Sequence, residues 1–280
     1  MPRLPESLAL ELRFARDLSA TRRRVAADVG RLVRDFDPAE LQASLQRALP
    51  LLSRAVTAGQ VEAQQAAALF VSAYIAQEAD RPATLPSIAG DTAGRTATGI
   101  PLDRVLASSL GGGLFALLRS GSSAPVAIGA AARAAAILAE SEVAAAADRE
   151  IANQARPEIG VQGWTWSLTG LENCAACLSR ADGVVRPMDE SMARHPGCDC
   201  VRSVRMLDDP RLVEHPTGEA LFRRLSPKRQ EQTFRTAGKE KAELVRSGQI
   251  TLADLVKVER HTSWRTIVTE RSLSEVLPAG

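Results

Sequence analysis

The chain has 280 residues, of which 45% are hydrophobic and only 4% aromatic, so its core must consist mainly of Ala, Leu and Val. Its 35 basic residues nearly balance 33 acidic ones, which argues against the strongly cationic surface typical of nucleic-acid-binding proteins. The N-terminal sequence predicts no signal peptide, and no apolar run is long enough to span a bilayer. We therefore expect a soluble protein made in the cytoplasm, where cysteines start out reduced.

The first part of the chain predicts a helical bundle. Apolar residues recur at helical spacing over 6–36, so this segment should form an amphipathic helix. The segment DPAE at residues 37–40 has the residue types of a helix start, and Pro50 should kink or break the helix that follows. A third helix is predicted over 60–79. The arginines of the first helix should lie mostly off its apolar stripe, namely Arg22, Arg23, Arg24 and Arg31.

A long loop should interrupt this bundle. Residues 80–101 are rich in Pro, Gly, Thr and Ser, which predicts a loop that is mobile. Helices are expected to resume over 102–119 and 124–155, and the second contains an Ala-rich stretch that permits close helix–helix contact. We therefore predict an all-helical N-terminal domain over residues 1–155.

The pattern changes after residue 155. Apolar residues alternate around Trp164 and Trp166, which predicts a strand over 160–170, and residues 200–207 predict a second strand. Two helix starts are then expected in the tail, one at Ser226 and Pro227 and one at Thr251, which Asp254 follows three residues later.

The predicted fold class is therefore mainly α. An N-terminal helical bundle should be followed by a small α+β module containing a Cys/His cluster, near 156–210, and then by a helical tail. The module and the tail together form the second predicted domain, over 156–280.

All four cysteines lie within 27 residues, in the pattern C-x2-C-x20-C-x-C. Two pairs of ligands separated by a spacer are typical of four-coordinate zinc sites. A metal would also tie together a module that has few large apolar residues of its own. The candidate ligands, of which four would bind the ion, are Cys174, Cys177, His195, Cys198 and Cys200.

Two other interpretations of the cysteines remain open. A disulfide, for example between Cys177 and Cys198, would form if the protein met an oxidising environment. All four cysteines would otherwise be reduced thiols. A catalytic pair of Cys198 and His195 is also conceivable, but a cluster of four thiols favours a structural role over a single nucleophile. The sequence contains no Ser-His-Asp pattern, phosphate-binding loop or dinucleotide motif.

The region around the cysteines resembles the C-terminal domain of the phage head-morphogenesis proteins, the Mu protein F-like minor capsid family. The resemblance is densest over 160–270 and includes the tail segment at 225–256 and the GIPLDRVLA segment at 99–107. Its motif residues are, in order, Trp166, Cys174, Cys177, Asp182-Gly183, Pro187, His195-Pro196, Cys198 and Cys200. The family usually has an arginine between the last two cysteines, where this chain has Asp199.

The resemblance implies a structural role and no enzymatic activity. The protein would be a low-copy component of a tailed-phage virion, bound to the portal protein inside the capsid, and active in head assembly or in DNA packaging and ejection. Contacts with the major capsid protein, a scaffold protein or packaged DNA are further implied, and no membrane. The cofactor expected from the cysteines is a structural zinc ion.

Two other function classes remain as alternatives. A zinc-ribbon-like nucleic-acid-binding protein would present a basic, aromatic surface around the cysteines. A cysteine-dependent enzyme would use Cys198 as its nucleophile.

Overall fold

The structure is a computed structural model that describes residues 6–80, 82–83, 92–168, 173–194, 198, 200–207, 217–261 and 265–277; for 260–261 and 265–267 only the backbone is described. The protein is mainly helical, which confirms the predicted fold class. The ten α-helices in these ranges are α1 (Glu6–Arg34), α2 (Leu41–Glu78), α3 (Leu102–Leu106), α4 (Gly112–Arg119), α5 (Ala124–Ala155), α6 (Ala175–Arg180), α7 (Gly218–Arg224), α8 (Pro227–Gln232), α9 (Gly238–Arg246) and α10 (Leu273–Val276).

A π-helical turn, Ala107–Gly111, joins α3 to α4. The strands form two antiparallel pairs, β1 (Val161–Ser167) with β2 (Val201–Met206), and β3 (Val256–His261) with β4 (Arg265–Glu270). None of the described helices has the length and apolar character needed to cross a membrane.

Helices α1, α2 and α5 pack together into the predicted bundle. The apolar stripe of α1 is buried, and the alanines of α5 allow its backbone to approach the other two helices. Gly59 of α2 lies where the three helices meet. A Cβ atom at this position would lie 2.6 Å from Val25 and 3.0 Å from Val143, so only glycine fits this contact without displacing a neighbour.

The prediction that Pro50 breaks the second helix is wrong. Helix α2 runs without interruption from Leu41 to Glu78, so the second and third predicted helices are one element. Proline cannot donate a backbone hydrogen bond to the carbonyl four residues earlier, that of Gln46. Both residues are exposed, so water can satisfy that carbonyl while buried residues on the opposite face, such as Leu52, hold the helix together.

Replacing Pro50 with alanine should therefore stabilise the protein. Inside a helix, proline is about 3 kcal/mol less favourable than alanine. The unfolded chain is more flexible with alanine than with proline, which reduces the expected gain in stability by up to about 1 kcal/mol. We expect the free energy of unfolding, measured in urea, to rise by about 2 kcal/mol. A fall would show that the proline ring makes contacts that alanine cannot replace.

The described part of the predicted loop packs against the bundle. The side-chain amide of Gln60 accepts a hydrogen bond from the Gly94 amide and donates one to the Arg95 carbonyl, both at 2.8 Å. Glu142 accepts from the Ala97 amide at 2.9 Å, and Arg149 donates to the Thr96 carbonyl at 2.6 Å. Residues 92–101 are thus anchored to α2 and α5, whereas 81 and 84–91 lie outside the described residues.

The two strands predicted around the cysteines are confirmed. In the β1–β2 pair, Trp164 lies opposite Val204 and Trp166 opposite Arg202. Trp164 also exchanges two backbone hydrogen bonds with Arg186, each 2.8 Å long. Arg186 therefore pairs with β1 as an isolated antiparallel bridge. One hydrophobic core extends from the bundle into β1, β2 and the cysteines. The domain boundary at residue 155 stays a prediction.

The tail differs from the prediction, because it ends in a β-hairpin before α10. Helix α8 begins at Pro227 after Ser226, as predicted. Thr251 does not begin a helix: its amide donates to Asp254 at 2.7 Å and closes a turn that leads into β3. The sequence that follows alternates Val256, Lys257 and Val258, a pattern that favours a strand and outweighs the local helix-start signal.

Candidate metal centre

The cysteines lie at the ends of two regular elements. Cys174 is the residue that precedes α6, and Cys177 lies within that helix. Cys200 directly precedes β2, and Cys198 lies two residues earlier. The contact between the sulfur atoms of Cys177 and Cys198 therefore places α6 beside the segment that leads into β2.

Three of the four thiols form a compact buried group. The side chains of Cys177, Cys198 and Cys200 are 4%, 1% and 2% exposed, and their sulfur atoms all lie within 4.8 Å of one another. Cys174 is half-buried, and its sulfur lies 3.6 Å from that of Cys177. Among the described residues, these three buried cysteines form a group of side chains able to bind a metal ion.

The sulfur separations fit a thiolate metal site better than a disulfide. The Cys177 and Cys198 sulfurs are 3.5 Å apart, whereas a disulfide bond is about 2.05 Å long. All four cysteines are free thiols in this structure. Zinc–sulfur bonds of about 2.3 Å in a tetrahedron place neighbouring sulfurs about 3.8 Å apart. The separations of Cys177 from Cys174 and from Cys198 lie close to this value, so a metal would need little rearrangement there.

The fifth predicted ligand, His195, lies outside the described residues, as do Pro196 and Asp199. Within the described part of the chain, Cys174 is the cysteine available to complete a set of four. Its sulfur contacts the sulfur of Cys177 in the buried group, and it is the most exposed of the four cysteines.

Hydrogen bonding between sulfur atoms and burial keep Cys177 and Cys200 protonated when no cation is bound. Hydrogen bonding with Cys174, and then with Cys198 and Cys200, raises the pKa of Cys177 well above its ordinary value, and burial adds to this effect. Hydrogen bonding with Cys177 lowers the pKa of Cys200, but its hydrogen bond with Cys198 and its burial outweigh this and raise it. Closely spaced buried thiolates repel one another, and a bound metal cation relieves that repulsion.

The indole of Trp166 lies beside the sulfur of Cys200. Its Nε1 is buried without a partner at full hydrogen-bond geometry among the described residues, yet its interaction with the Cys200 sulfur lowers the pKa of that thiol. The guanidinium of Arg180 lies over the indole ring, 5.8 Å from its centroid. An N–H group beside a thiolate favours the charged form that a metal requires.

Two buried arginines contact the backbone of the Cys198–Cys200 segment. Arg22 of α1 donates a hydrogen bond to the Cys198 carbonyl at 2.5 Å. Arg194 donates to the carbonyls of Cys198, at 3.4 Å, and Cys200. Arg194 also forms a bidentate pair with Asp148 of α5, in which both N···O distances are 2.7 Å. The cysteine segment is thus tied to two helices of the bundle.

The sequence interpretation misplaced Arg22 and missed Arg194 and Asp148. Arg22 does not lie off the apolar stripe of α1, because it is buried between Leu18 and Val25 at helical spacing. The sequence signal for its burial is that Arg22 follows Leu18 by four residues and precedes Val25 by three, which places it on the same face of the helix. Arg194 and Asp148 are 46 positions apart and lie on different elements, so their pairing requires the fold.

Comparisons of the chain with models of protein families, with curated proteins and with solved structures find no match. The geometry of the cysteines and the sequence pattern around them are therefore the basis for assigning a function.

Proposed function

We propose that the protein is a structural minor component of a tailed-phage head, bound to the portal protein inside the capsid, and that a zinc ion stabilises its cysteine cluster. The observation that carries the proposal is the cluster itself. The cysteines of the head-morphogenesis-like pattern come together in space, with three buried sulfur atoms within 4.8 Å of one another.

Zinc is the metal that best suits these ligands. Thiolates are soft ligands that favour zinc, copper(I) or iron–sulfur clusters over magnesium and calcium. Structural zinc sites are commonly closed by four Cys or His ligands, and Cys174 is placed to supply a fourth thiolate. A closed site with no position left for water would stabilise the fold without taking part in a reaction.

The surroundings of the cysteines favour a structural over a catalytic role. A cysteine nucleophile requires a lowered pKa and access to substrate. The pKa of Cys177 and that of Cys200 are raised, and both residues are buried with Cys198. These properties are typical of inert thiols or metal ligands.

Charge pairing near the cysteines argues against a nucleic-acid-binding surface. Arg186 pairs with Asp182 at 2.6 Å and lies 3.4 Å from Glu190, and Arg194 pairs with Asp148. A side chain that is already neutralised by a carboxylate releases little free energy when it meets a phosphate.

Two measurements on the full chain test the proposal. Elemental analysis of protein purified under reducing conditions should find one zinc per chain, and the denatured, chelator-treated protein should then titrate as four thiols. Portal protein from the phage genome that encodes this chain should retain it in co-sedimentation at physiological salt.

Two outcomes contradict the proposal. A metal-free protein with four titratable thiols would show that the chain has no zinc centre. Failure to bind portal, together with tight and steeply salt-dependent binding of DNA in a filter assay, would instead favour a nucleic-acid-binding protein.

A further inference from the structure

Arg194 connects the Cys-x-Cys segment to the helical bundle at a buried position. The side chain is 3% exposed, and its guanidinium donates hydrogen bonds in two directions. Nε and Nη2 form the bidentate pair with Asp148 of α5, and Nη1 donates to the carbonyls of Cys198 and Cys200. Only arginine has the planar fork of donors required to serve a carboxylate and two carbonyls together.

These contacts determine where two ligand sulfurs point. Cys198 and Cys200 precede β2, so neither lies in a helix or a strand whose hydrogen bonds would fix its backbone. When its carbonyl is held, the orientation of a residue's peptide unit is restricted, and so is the direction of its side chain. Arg22 reinforces the contact by donating to the Cys198 carbonyl from α1.

Both arginines pair with carboxylates of α5. Arg194 forms its bidentate pair with Asp148, and the guanidinium of Arg22 lies 4.0 Å from the carboxylate of Glu140. The arginines therefore act on the cysteines through the hydrogen bonds that they donate to the backbone carbonyls.

We infer that Arg194 is the positioning residue of the metal centre: anchored on Asp148, it fixes the carbonyls of Cys198 and Cys200 and thereby pre-arranges their thiols for the ion. The inference rests on the proposed zinc centre. Groups that orient metal ligands from outside typically change metal affinity by about 10–100-fold when they are replaced.

The test compares two matched Asp→Asn variants of the full-length protein. Asp148→Asn removes the charge that holds Arg194 and preserves the shape of the side chain. Asp182→Asn removes the carboxylate of a similar pair with Arg186, whose guanidinium donates to Asp182 and to the Val184 carbonyl. Zinc affinity is measured by competition with a chelator of known affinity, under conditions where circular dichroism shows each variant to be folded.

Asp148→Asn should weaken zinc binding by about 10–100-fold, and Asp182→Asn should bind zinc as the wild type does. Cobalt(II)-loaded Asp148→Asn should also show shifted d–d absorption bands, a change in ligand geometry that a loss of stability alone does not produce. Should Asp148→Asn fail to fold, Arg194→Lys replaces it, because lysine keeps the charge but lacks the fork.

The inference is overturned if zinc affinity and the cobalt spectrum remain unchanged in Asp148→Asn, or if Asp182→Asn alters them equally. Failure of the proposed zinc centre gives a different result, since the wild-type protein would then contain no zinc. The two failures are therefore distinguishable.

Discussion

Replacing Cys177 with serine is expected to abolish stoichiometric zinc binding and to cost more than about 4 kcal/mol of folding free energy, a range associated with the loss of a structural metal. Cys177 is the centre of the cluster, with its sulfur 3.6 Å from that of Cys174 and 3.5 Å from that of Cys198. A serine hydroxyl is a poor zinc ligand, and its burial beside three thiols leaves a polar group with weak partners.

A chelator separates the two contributions to the stability lost in Cys177→Ser, namely the loss of the metal and the change in packing. Urea unfolding of wild type and Cys177→Ser should be measured with and without a strong zinc chelator. The wild type should lose most of its advantage when the metal is removed, so that the two proteins then differ by about 1–2 kcal/mol, the cost of burying a hydroxyl. Equal sensitivity of both proteins to the chelator would contradict the metal assignment.

The fold class followed from patterns that reflect local packing. The apolar stripe of α1 describes the face that the helix buries, so it predicts the type of this element. The alternation around Trp164 and Trp166 also predicted β1, although the fold buries this strand on both faces from Gly163 to Ser167. Pro50 misled the prediction, because the cost of an interior proline depends on whether the unpaired carbonyl reaches water. That exposure is a property of the folded protein.

The β3–β4 hairpin shows how neighbouring signals compete. Thr251 and Asp254 have the spacing of a helix start, and their side chains do form the expected hydrogen bonds. The alternating residues from Val256 onward then pair with β4, where Val258 lies opposite Val268. A capping pattern satisfies backbone amides in a turn as well as at a helix start, so the following residues decide the outcome.

The sequence predicted which cysteines cluster but not which residues support them. Cysteine spacing selected Cys177, Cys198 and Cys200, which the fold brings together, because two close pairs need only one loop closure to meet. That these residues bind a metal stays a prediction. The pair of Asp148 and Arg194 depends on how α5 packs beside the cysteine segment, and no local pattern encodes that contact. The buried position of Arg22 was visible in the helical spacing and was overlooked.

Gly163 of β1 is the second position where a small change should have a large effect. A Cβ atom there would lie 2.2 Å from the Arg186 carbonyl oxygen and 2.9 Å from Val185. The segment at Arg186 forms two backbone hydrogen bonds with Trp164, and the indole of Trp164 donates to the Pro187 carbonyl at 2.9 Å. A methyl group would therefore push away the backbone that holds the buried tryptophan.

Gly163→Ala should accordingly destabilise the protein by about 3 kcal/mol or more. Overpacking typically costs about 1–3 kcal/mol, and each lost hydrogen bond adds about 1 kcal/mol. Gly113→Ala is the matched control: this glycine is exposed in α4, a Cβ there meets nothing within 4 Å, and alanine should add up to about 1 kcal/mol of stability. The two variants have the same chemical change, so opposite signs in urea unfolding would isolate the contact with Arg186. A loss below about 0.5 kcal/mol, the usual size of a surface effect, would show that this segment yields to the added methyl and does not fix Trp164.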